Sequence, residues 1–301
     1  MTTVLEGCTM LFDGQSELIS PIFVSALYFY PIKSCAGISL EVAEIGPRGI
    51  QGDRAFMLID SAGRFITQRE QPRMALIHPA IGEEGGLSVS AQGMPALDIV
   101  VNDAGKRYKV GIWKDTCIGV DQGDAIADWF STFLGASCRL VWMPEDYMRR
   151  VNPHYAIGEQ DQVGFADGYP FLLISEASLT DLNDRMQRPL PMNRFRPNIV
   201  VQGTLPYAED MWRTIRIGQM TFRIVKPCAR CEIPTTDQVT ATRSNEPLKT
   251  LATYRHAIRG VMFGQNLIHE NEGTIRVGDT VEVIEEATRP NFTLKIREKT
   301  Y

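Results

Sequence analysis

The sequence is poor in features that mark several common protein classes. Its 301 residues include only six cysteines, which are too sparse for a disulfide-stapled secreted scaffold. No apolar run approaches the roughly 18 residues that are needed to cross a bilayer. These absences predict a protein of a reducing compartment, the cytoplasm, with no membrane partner.

An excess of positive charge is also missing. Lys and Arg total 31 against 36 Asp and Glu, so the formal net charge is −5. This balance argues against a nucleic-acid partner bound through bulk positive charge, although it permits a local basic pocket for a small anion. The first basic residue is Lys33, and acidic residues precede it. Neither a secretory signal peptide nor a mitochondrial presequence is therefore expected.

What the sequence does contain is a series of short β-strand patterns with few helices. One apolar helix face is predicted over residues 124–134, and further helices after Ser175 and near Pro247. Alternating apolar residues predict a hairpin over residues 213–225 and another that joins 275–277 to 281–283. The pattern predicts a β-dominated α+β protein rather than a βαβ-wound sheet.

The sharpest local feature is the C-x-x-C motif of Cys228 and Cys231. Such a pair can be half of a zinc site, a dithiol redox centre, one metal-binding thiolate with a bystander, or two structural cysteines. The sequence has no second C-x-x-C motif and no histidines at ligand spacing, which a structural zinc site would need. Lys226 and Arg230 stand beside the thiols and favour a thiolate there.

Further polar side chains occur where strand patterns end in turns. Lys33 and Ser34 follow the first strand, Arg54 follows a glycine turn, Arg196 precedes a proline, and Asp167 precedes an apolar run. Each has an ordinary interpretation as a solvated turn, a surface pair or a structural ion pair. If the fold brings them together, the cations would bind a small polyanion beside a soft, metal-binding sulfur.

The same motifs, in this order, resemble the MOSC superfamily with its N-terminal β-barrel partner domain, and in particular the amidoxime-reducing molybdenum enzymes. They span residues 24–284 and read YPIKSC at 30–35, GDR at 52–54, TQREQPR at 67–73, AD at 166–167, PFLLISEASLTDL at 170–182, FRPN at 195–198, YAEDMW at 207–212, CARC at 228–231 and VGD at 277–279. The resemblance implies a smaller N-terminal β-rich domain over 22–140 and a MOSC β-barrel domain over 141–286. The strands of 22–54 are expected to pack with the MOSC barrel, and tails are expected over 1–21 and 287–301.

The resemblance also implies a cofactor, molybdenum held by the dithiolene of a molybdopterin. By position, Cys231 would be the thiolate ligand of the metal, Cys228 a bystander, and Asp167 the carboxylate beside the metal. The remaining positions imply a clamp on the phosphate and the pterin, formed by Lys33, Ser34, Arg54, Arg196 and Arg230, with Arg69 and Arg73 as further contacts. The implied reaction removes oxygen from N-hydroxylated compounds such as amidoximes, giving an amine or amidine plus water.

That reaction needs a source of electrons. The best-known bacterial relatives carry an iron–sulfur domain after the MOSC domain, whereas this sequence has no cysteine beyond Cys231. A separate electron donor, a flavoprotein reductase or a small redox protein, is therefore expected. Two other interpretations stay open. One is a sulfur transferase with a persulfide on Cys231, which the lack of a fused pyridoxal-phosphate domain weakens. The other is a non-catalytic carrier of the molybdenum cofactor.

Overall fold

A computed structural model describes residues 21–82, 86–290 and 292–294 of the chain. The predicted tail over 1–21 lies outside these residues except for Pro21, as does the end of the tail predicted over 287–301. The described residues form 19 strands and three α-helices, which confirms a β-dominated α+β protein. Within these ranges, no helix is both long enough and apolar enough to cross a membrane.

The elements are numbered in chain order. The helices are α1 Asp124–Leu134, α2 Glu176–Asp184 and α3 Leu248–Tyr254. The strands are β1 Phe23–Phe29, β2 Ile38–Leu40, β3 Val42–Gly46, β4 Gly49–Ile50, β5 Phe56–Ile59, β6 His78–Ile81, β7 Leu87–Ser90, β8 Leu97–Ile99, β9 Arg107–Ile112, β10 Asp115–Asp121, β11 Arg139–Trp142, β12 Phe171–Ser175, β13 Ile199–Gln202, β14 Trp212–Ile217, β15 Met220–Ala229, β16 His256–Ala257, β17 Gly260–His269, β18 Gly273–Arg276 and β19 Val281–Glu286.

The largest sheet has nine strands and curls back on itself. Its order is β19-β14-β15-β17-β12-β13-β1-β2, with β16 paired to β17. At the start of β19, the Val281 N–H donates to the Ile22 carbonyl just before β1, at 2.8 Å, so that the two sides of the sheet approach each other. The sheet β18-β3-β4 shares its apolar core, which includes Phe171, Trp212 and Phe222. The strands before residue 51 thus belong to the sheets of the C-terminal half.

A second group of sheets lies in the N-terminal half. It comprises the four-stranded sheet β5-β11-β10-β9, the three-stranded sheet β6-β7-β8, and α1, whose face of Trp129, Phe130 and Phe133 is buried in their core. Helix α1 has the predicted bounds, and its C-cap Gly135 is in the left-handed conformation. Its N-cap is Gly123. Strand β11 pairs along its whole length with β5, so this sheet extends beyond residue 140.

The predicted hairpin over 213–225 and the helices near Ser175 and Pro247 are confirmed as β14–β15, α2 and α3. The predicted hairpin between 275–277 and 281–283 is wrong, because β18 pairs with β3 whereas β19 pairs with β14. The Gly278 N–H donates to the Val24 carbonyl at 2.8 Å, so the turn is bonded to β1. Its two flanking strands therefore diverge into different sheets, and local alternation carries no information about that choice.

Candidate functional site

A cavity of about 380 Å³ is lined by residues from both halves of the chain. We call it the cationic cavity. It is lined by eight of the residues that were predicted for the site, namely Lys33, Ser34, Arg54, Arg69, Asp167, Arg196, Arg230 and Cys231. They follow different strands in the sequence, and the two sheet systems bring them together. The role of each residue stays a prediction.

Positive charge dominates the lining of the cationic cavity. Six basic side chains line it, and among its described lining residues Asp167 is the only acid. The basic residues are Lys33, Arg54, Arg69, Arg196, Lys226 and Arg230. A concave surface with an excess of cations strengthens the positive electrostatic potential inside the cavity, and this potential favours a polyanionic ligand.

Asp167, Lys33, Arg69 and Cys231 form one connected group in this cavity. Lys33 Nζ donates to Asp167 Oδ1 at 2.6 Å and to the Phe165 carbonyl at 2.8 Å. Arg69 Nη2 lies 3.2 Å from Asp167 Oδ2 and 3.1 Å from Cys231 Sγ. A single guanidinium group therefore connects the Asp167 carboxylate to the thiol of Cys231.

The charge state of this group follows from its partners. Partial removal of the Asp167 carboxyl from water would by itself favour the neutral acid, but the nearby cations of Lys33 and Arg69 outweigh that effect and hold the pKa of this carboxyl well below its usual range. Burial lowers the pKa of the Lys33 ammonium group, and Asp167 offsets part of that effect. Burial also opposes the charge on Arg69, yet Asp167 and Cys231 raise the pKa of its guanidinium. Asp167 is therefore a carboxylate at neutral pH.

Two further arginines of the cavity are ordered by one tyrosine. The guanidinium carbons of Arg54 and Arg196 each lie 4.2 Å from the centroid of the Tyr30 ring. The Tyr30 hydroxyl donates to the Pro197 carbonyl at 3.0 Å, and Arg196 Nη1 donates to the Cys35 carbonyl at 2.6 Å. Burial lowers the pKa of Arg196 to about 10, so the group remains a cation at neutral pH.

Left-handed backbone conformations concentrate around the cationic cavity. Six non-glycine residues in the described ranges have positive φ, and four of them line it. These four are Ser34 at 67°, Arg54 at 48°, Trp113 at 54° and Arg196 at 56°. Such conformations cost L-residues on the order of 1–2 kcal/mol each, and they are frequent where a binding site dictates the direction of side chains.

Some contacts differ from those expected. Arg230, which was expected to favour a thiolate, donates from Nη1 to Cys228 Sγ at 3.2 Å, whereas the cation against Cys231 is Arg69. Lys226 lies over aromatic rings instead, with Nζ 4.9 Å from the centroid of Tyr155. The guanidinium of Arg73 packs on Phe133 at 4.5 Å, and Arg73 does not line the cationic cavity.

Several residues that shape the site carry no signal in the sequence. Trp113 follows β9, and its Nε1 donates to Asp167 Oδ1 at 3.3 Å. Arg149 Nη1 donates to the carbonyls of Gly164 at 2.9 Å and Ala166 at 2.5 Å, which fixes the loop that carries Asp167. These residues belong to no recognisable motif, and only contacts across the fold assign them to the site.

The polar groups of the cavity determine which kind of cofactor it could bind. No group of three or more His, Cys, Asp or Glu side chains in the described ranges is arranged to hold a metal ion. A metal here would have to bring most of its ligands and accept sulfur from the protein. Arg69 Nη1 and Arg230 Nε are buried and have no hydrogen-bond partner among the described residues. Such donors suit the oxygens of an anionic group, so the residues present fit a phosphorylated cofactor that carries its own metal.

Fold and site together define a β-rich protein of two parts with a cationic, thiol-bearing cavity between them. The chain belongs to the MOSC family: residues 22–137 match the MOSC N-terminal beta barrel domain, and residues 160–282 match the MOSC domain.

Curated relatives cover most of the chain. Mitochondrial amidoxime-reducing component 1 of Homo sapiens is 36% identical over 279 residues, which are 87% of this chain and 82% of the relative. The protein of the same name from Mus musculus is 37% identical over 87% of this chain and 82% of its own length. A molybdenum cofactor sulfurase of Oryza sativa subsp. japonica is 29% identical over 89% of this chain, but only 35% of that protein is matched.

Proposed function

We propose that this protein is a molybdenum-cofactor-dependent reductase that removes oxygen from N-hydroxylated compounds, giving an amine or amidine plus water. The names of its relatives, amidoxime-reducing component and molybdenum cofactor sulfurase, support a molybdenum-cofactor protein of the MOSC family. The observation that carries the proposal is the Arg69 guanidinium, which contacts both the Cys231 thiol and the Asp167 carboxylate inside the cationic cavity. A metal ligand and a substrate-facing carboxylate would then be neighbours.

The chain's own residues divide into two sets under this proposal. Cys231 would ligate the molybdenum, since thiolate is a soft ligand suited to a metal of this kind. The phosphate and pterin would be held by Lys33, Ser34, Arg54, Arg69, Arg196 and Arg230. Arginine binds phosphate oxygens through two parallel N–H groups, which fixes orientation as well as affinity. When bound, the cofactor supplies the two-electron redox chemistry.

Asp167 would bind the N-hydroxylated group of the substrate. Reduction of an N–OH group consumes two electrons and two protons and releases water. The carboxylate accepts hydrogen bonds from the N–H or O–H of the substrate, and 54% of its side chain is exposed to solvent from which protons arrive. Lys33 and Arg69 keep it ionised and in place. The electrons would come from a separate flavoprotein reductase or small redox protein, and we expect both proteins in the cytoplasm.

The test requires protein that was produced with a supply of cofactor. We expect molybdenum and pterin in one-to-one ratio with the chain, and reduction of an N-hydroxylated purine with an artificial electron donor. Cys231→Ser should lose the bound molybdenum and the activity. Cys228→Ser is the matched control, because it removes the other thiol of the same motif, and it should retain the metal. Full molybdenum content and full activity in Cys231→Ser would overturn the assignment of the ligand.

The similarity to the sulfurase of Oryza sativa keeps a second candidate, a sulfur transferase that carries a persulfide on Cys231. A persulfide releases thiocyanate when the protein is treated with cyanide. A reductase without a persulfide would release no thiocyanate in a stoichiometric amount relative to the chain. A third candidate, a carrier of the cofactor, would hold stoichiometric molybdenum and reduce no N-hydroxylated compound. The metal analysis, the cyanide treatment and the reduction assay therefore separate the three candidates.

A further inference from the structure

Trp113 is exposed in a manner unusual for its residue type. It lies in the tight turn between β9 and β10, and 56% of its surface is accessible to solvent. Trp129 and Trp212 are buried, and Trp142 is half-buried. Tryptophan offers more apolar surface than any other side chain, so leaving it in water forfeits the free energy that its burial would contribute.

The exposed indole is nevertheless fixed in one orientation. Its Nε1 donates to Asp167 Oδ1 at 3.3 Å, and the guanidinium carbon of Arg69 lies 4.7 Å from its ring. The ring of Phe65 packs on it in an edge-to-face arrangement, with the centroids 5.2 Å apart. The backbone of Trp113 adopts a left-handed conformation with φ of 54°. An ordered aromatic surface therefore lies in the cavity lining, next to the carboxylate proposed to meet the substrate.

We propose that Trp113 is the specificity-determining residue of the cavity: its exposed indole surface stacks on the planar, conjugated part of the substrate while Asp167 binds the N-hydroxylated head. This inference rests on the proposed function for the identity of the substrate. Planar aromatic groups and amidinium cations both gain from contact with an indole ring. The protein would accordingly select aromatic amidoximes and N-hydroxylated bases over small aliphatic ones.

The kinetic test compares two substrates that share a head group, benzamidoxime and acetamidoxime, on the cofactor-loaded protein. Trp113→Ala should raise KM for benzamidoxime about 10-fold while kcat changes little, since the loss is of binding common to ground state and transition state. KM for acetamidoxime should change by less than about 2-fold. Trp113→Phe keeps an aromatic ring but lacks the N–H that bonds Asp167, so it should remain within about 3-fold of wild type for both substrates.

Lys114→Ala is the matched control, because Lys114 is exposed in the same turn and does not line the cavity. It should behave as wild type. An equal change of KM for the two substrates in Trp113→Ala, or no change for either, would overturn the inference while leaving the proposed function intact.

A binding measurement tests, without turnover, whether a planar ligand stacks on Trp113. Benzamidine, the product of benzamidoxime reduction, is titrated into the cofactor-loaded protein while tryptophan fluorescence is recorded. We expect saturable quenching in the wild type and its loss in Trp113→Phe, because the other three tryptophans are buried or half-buried. Absence of quenching in the wild type, or equal quenching in both proteins, overturns the inference. Quenching confined to the wild type, in a protein that reduces no N-hydroxylated compound, would support a planar-ligand site and refute the proposed reductase.

Discussion

Arg69 Nη2 lies 3.1 Å from Cys231 Sγ, although the two residues are 162 positions apart in the chain. Arg69 belongs to the N-terminal half and Cys231 to the MOSC domain. The loop of Arg69 is held in turn by Arg243, whose Nη2 donates to the Arg69 carbonyl at 2.6 Å. The surroundings of the thiol are therefore built by both parts of the chain, and the MOSC domain by itself would lack this contact.

Replacing Arg69 should weaken the proposed reaction. Arg69→Gln removes charged hydrogen bonds to Asp167 and Cys231, and such bonds contribute about 1.5–3 kcal/mol each. We expect kcat/KM for benzamidoxime to fall about 10- to 100-fold. Arg64→Gln is the control, because the Arg64 side chain is mostly exposed and lies outside the cavity lining. Steady-state kinetics that show the same kcat/KM for Arg69→Gln and wild type would contradict the prediction.

Tyr30 should control how firmly the cofactor is held. Tyr30→Leu removes the ring against which Arg54 and Arg196 pack, so both clamp residues lose their orientation. We expect molybdenum content after gel filtration to fall severalfold. Tyr30→Phe keeps the ring and loses only the hydroxyl bond to the Pro197 carbonyl, which costs about 1 kcal/mol of stability. Its molybdenum content should stay near that of wild type. An equal loss of molybdenum in both variants would show that the aromatic ring of Tyr30 does not determine how the cofactor is retained.

The ion pairs of Asp167 predict a pH dependence of stability. Because Lys33 and Arg69 lower the pKa of the folded-state carboxyl below the ordinary value of 3.8, the ionised group stabilises the fold at every pH above that value. The contribution is lost as the pH falls through the folded-state pKa. Urea unfolding should therefore show a constant deficit of Asp167→Asn relative to wild type from about pH 8 to pH 5, and a shrinking deficit below about pH 4.

The control for this measurement is Asp98→Asn, which alters an exposed carboxylate in β8 that lies outside the cavity. It should show no deficit at any pH. A deficit of Asp167→Asn that grows on acidification would mean that the folded-state pKa of Asp167 is raised rather than lowered.

Part of the motif at 207–212 serves stability rather than binding. Asp210 Oδ2 accepts from Arg255 Nη2 at 2.7 Å and its Oδ1 accepts from Gln265 Nε2 at 2.6 Å, with both ionic side chains almost fully buried. Asp210→Asn leaves the Arg255 cation buried without its counter-ion. We expect the free energy of unfolding in urea to fall by about 3–5 kcal/mol. Glu282→Gln, which breaks the exposed pair with Arg216, should lower the free energy of unfolding by less than about 1 kcal/mol. Similar losses in the two variants would contradict the expected difference between a buried and an exposed ion pair.

Local patterns in the sequence predicted much of the secondary structure. Helix α1 was predicted with its bounds, because its apolar face repeats at helical spacing and Gly135 ends it. The strand partners of Ile275 and Val281 were predicted wrongly, since alternation predicts a strand and is silent about its neighbour. The site residues were predicted from motifs and resemblance, and the contact of Arg69 with Cys231 was not, because no short-range spacing encodes it.

The amino-acid sequence specifies which side chains are available: a C-x-x-C motif, a turn aspartate, and basic residues on separate loops, within a chain rich in short strands. That these groups line one cavity, that Arg69 rather than Arg230 contacts the Cys231 thiol, and that Trp113 lies beside Asp167 follow from contacts between distant segments. Residue type and local periodicity act over a few positions, whereas the charge state and orientation of a functional group depend on neighbours that the pairing of distant strands supplies.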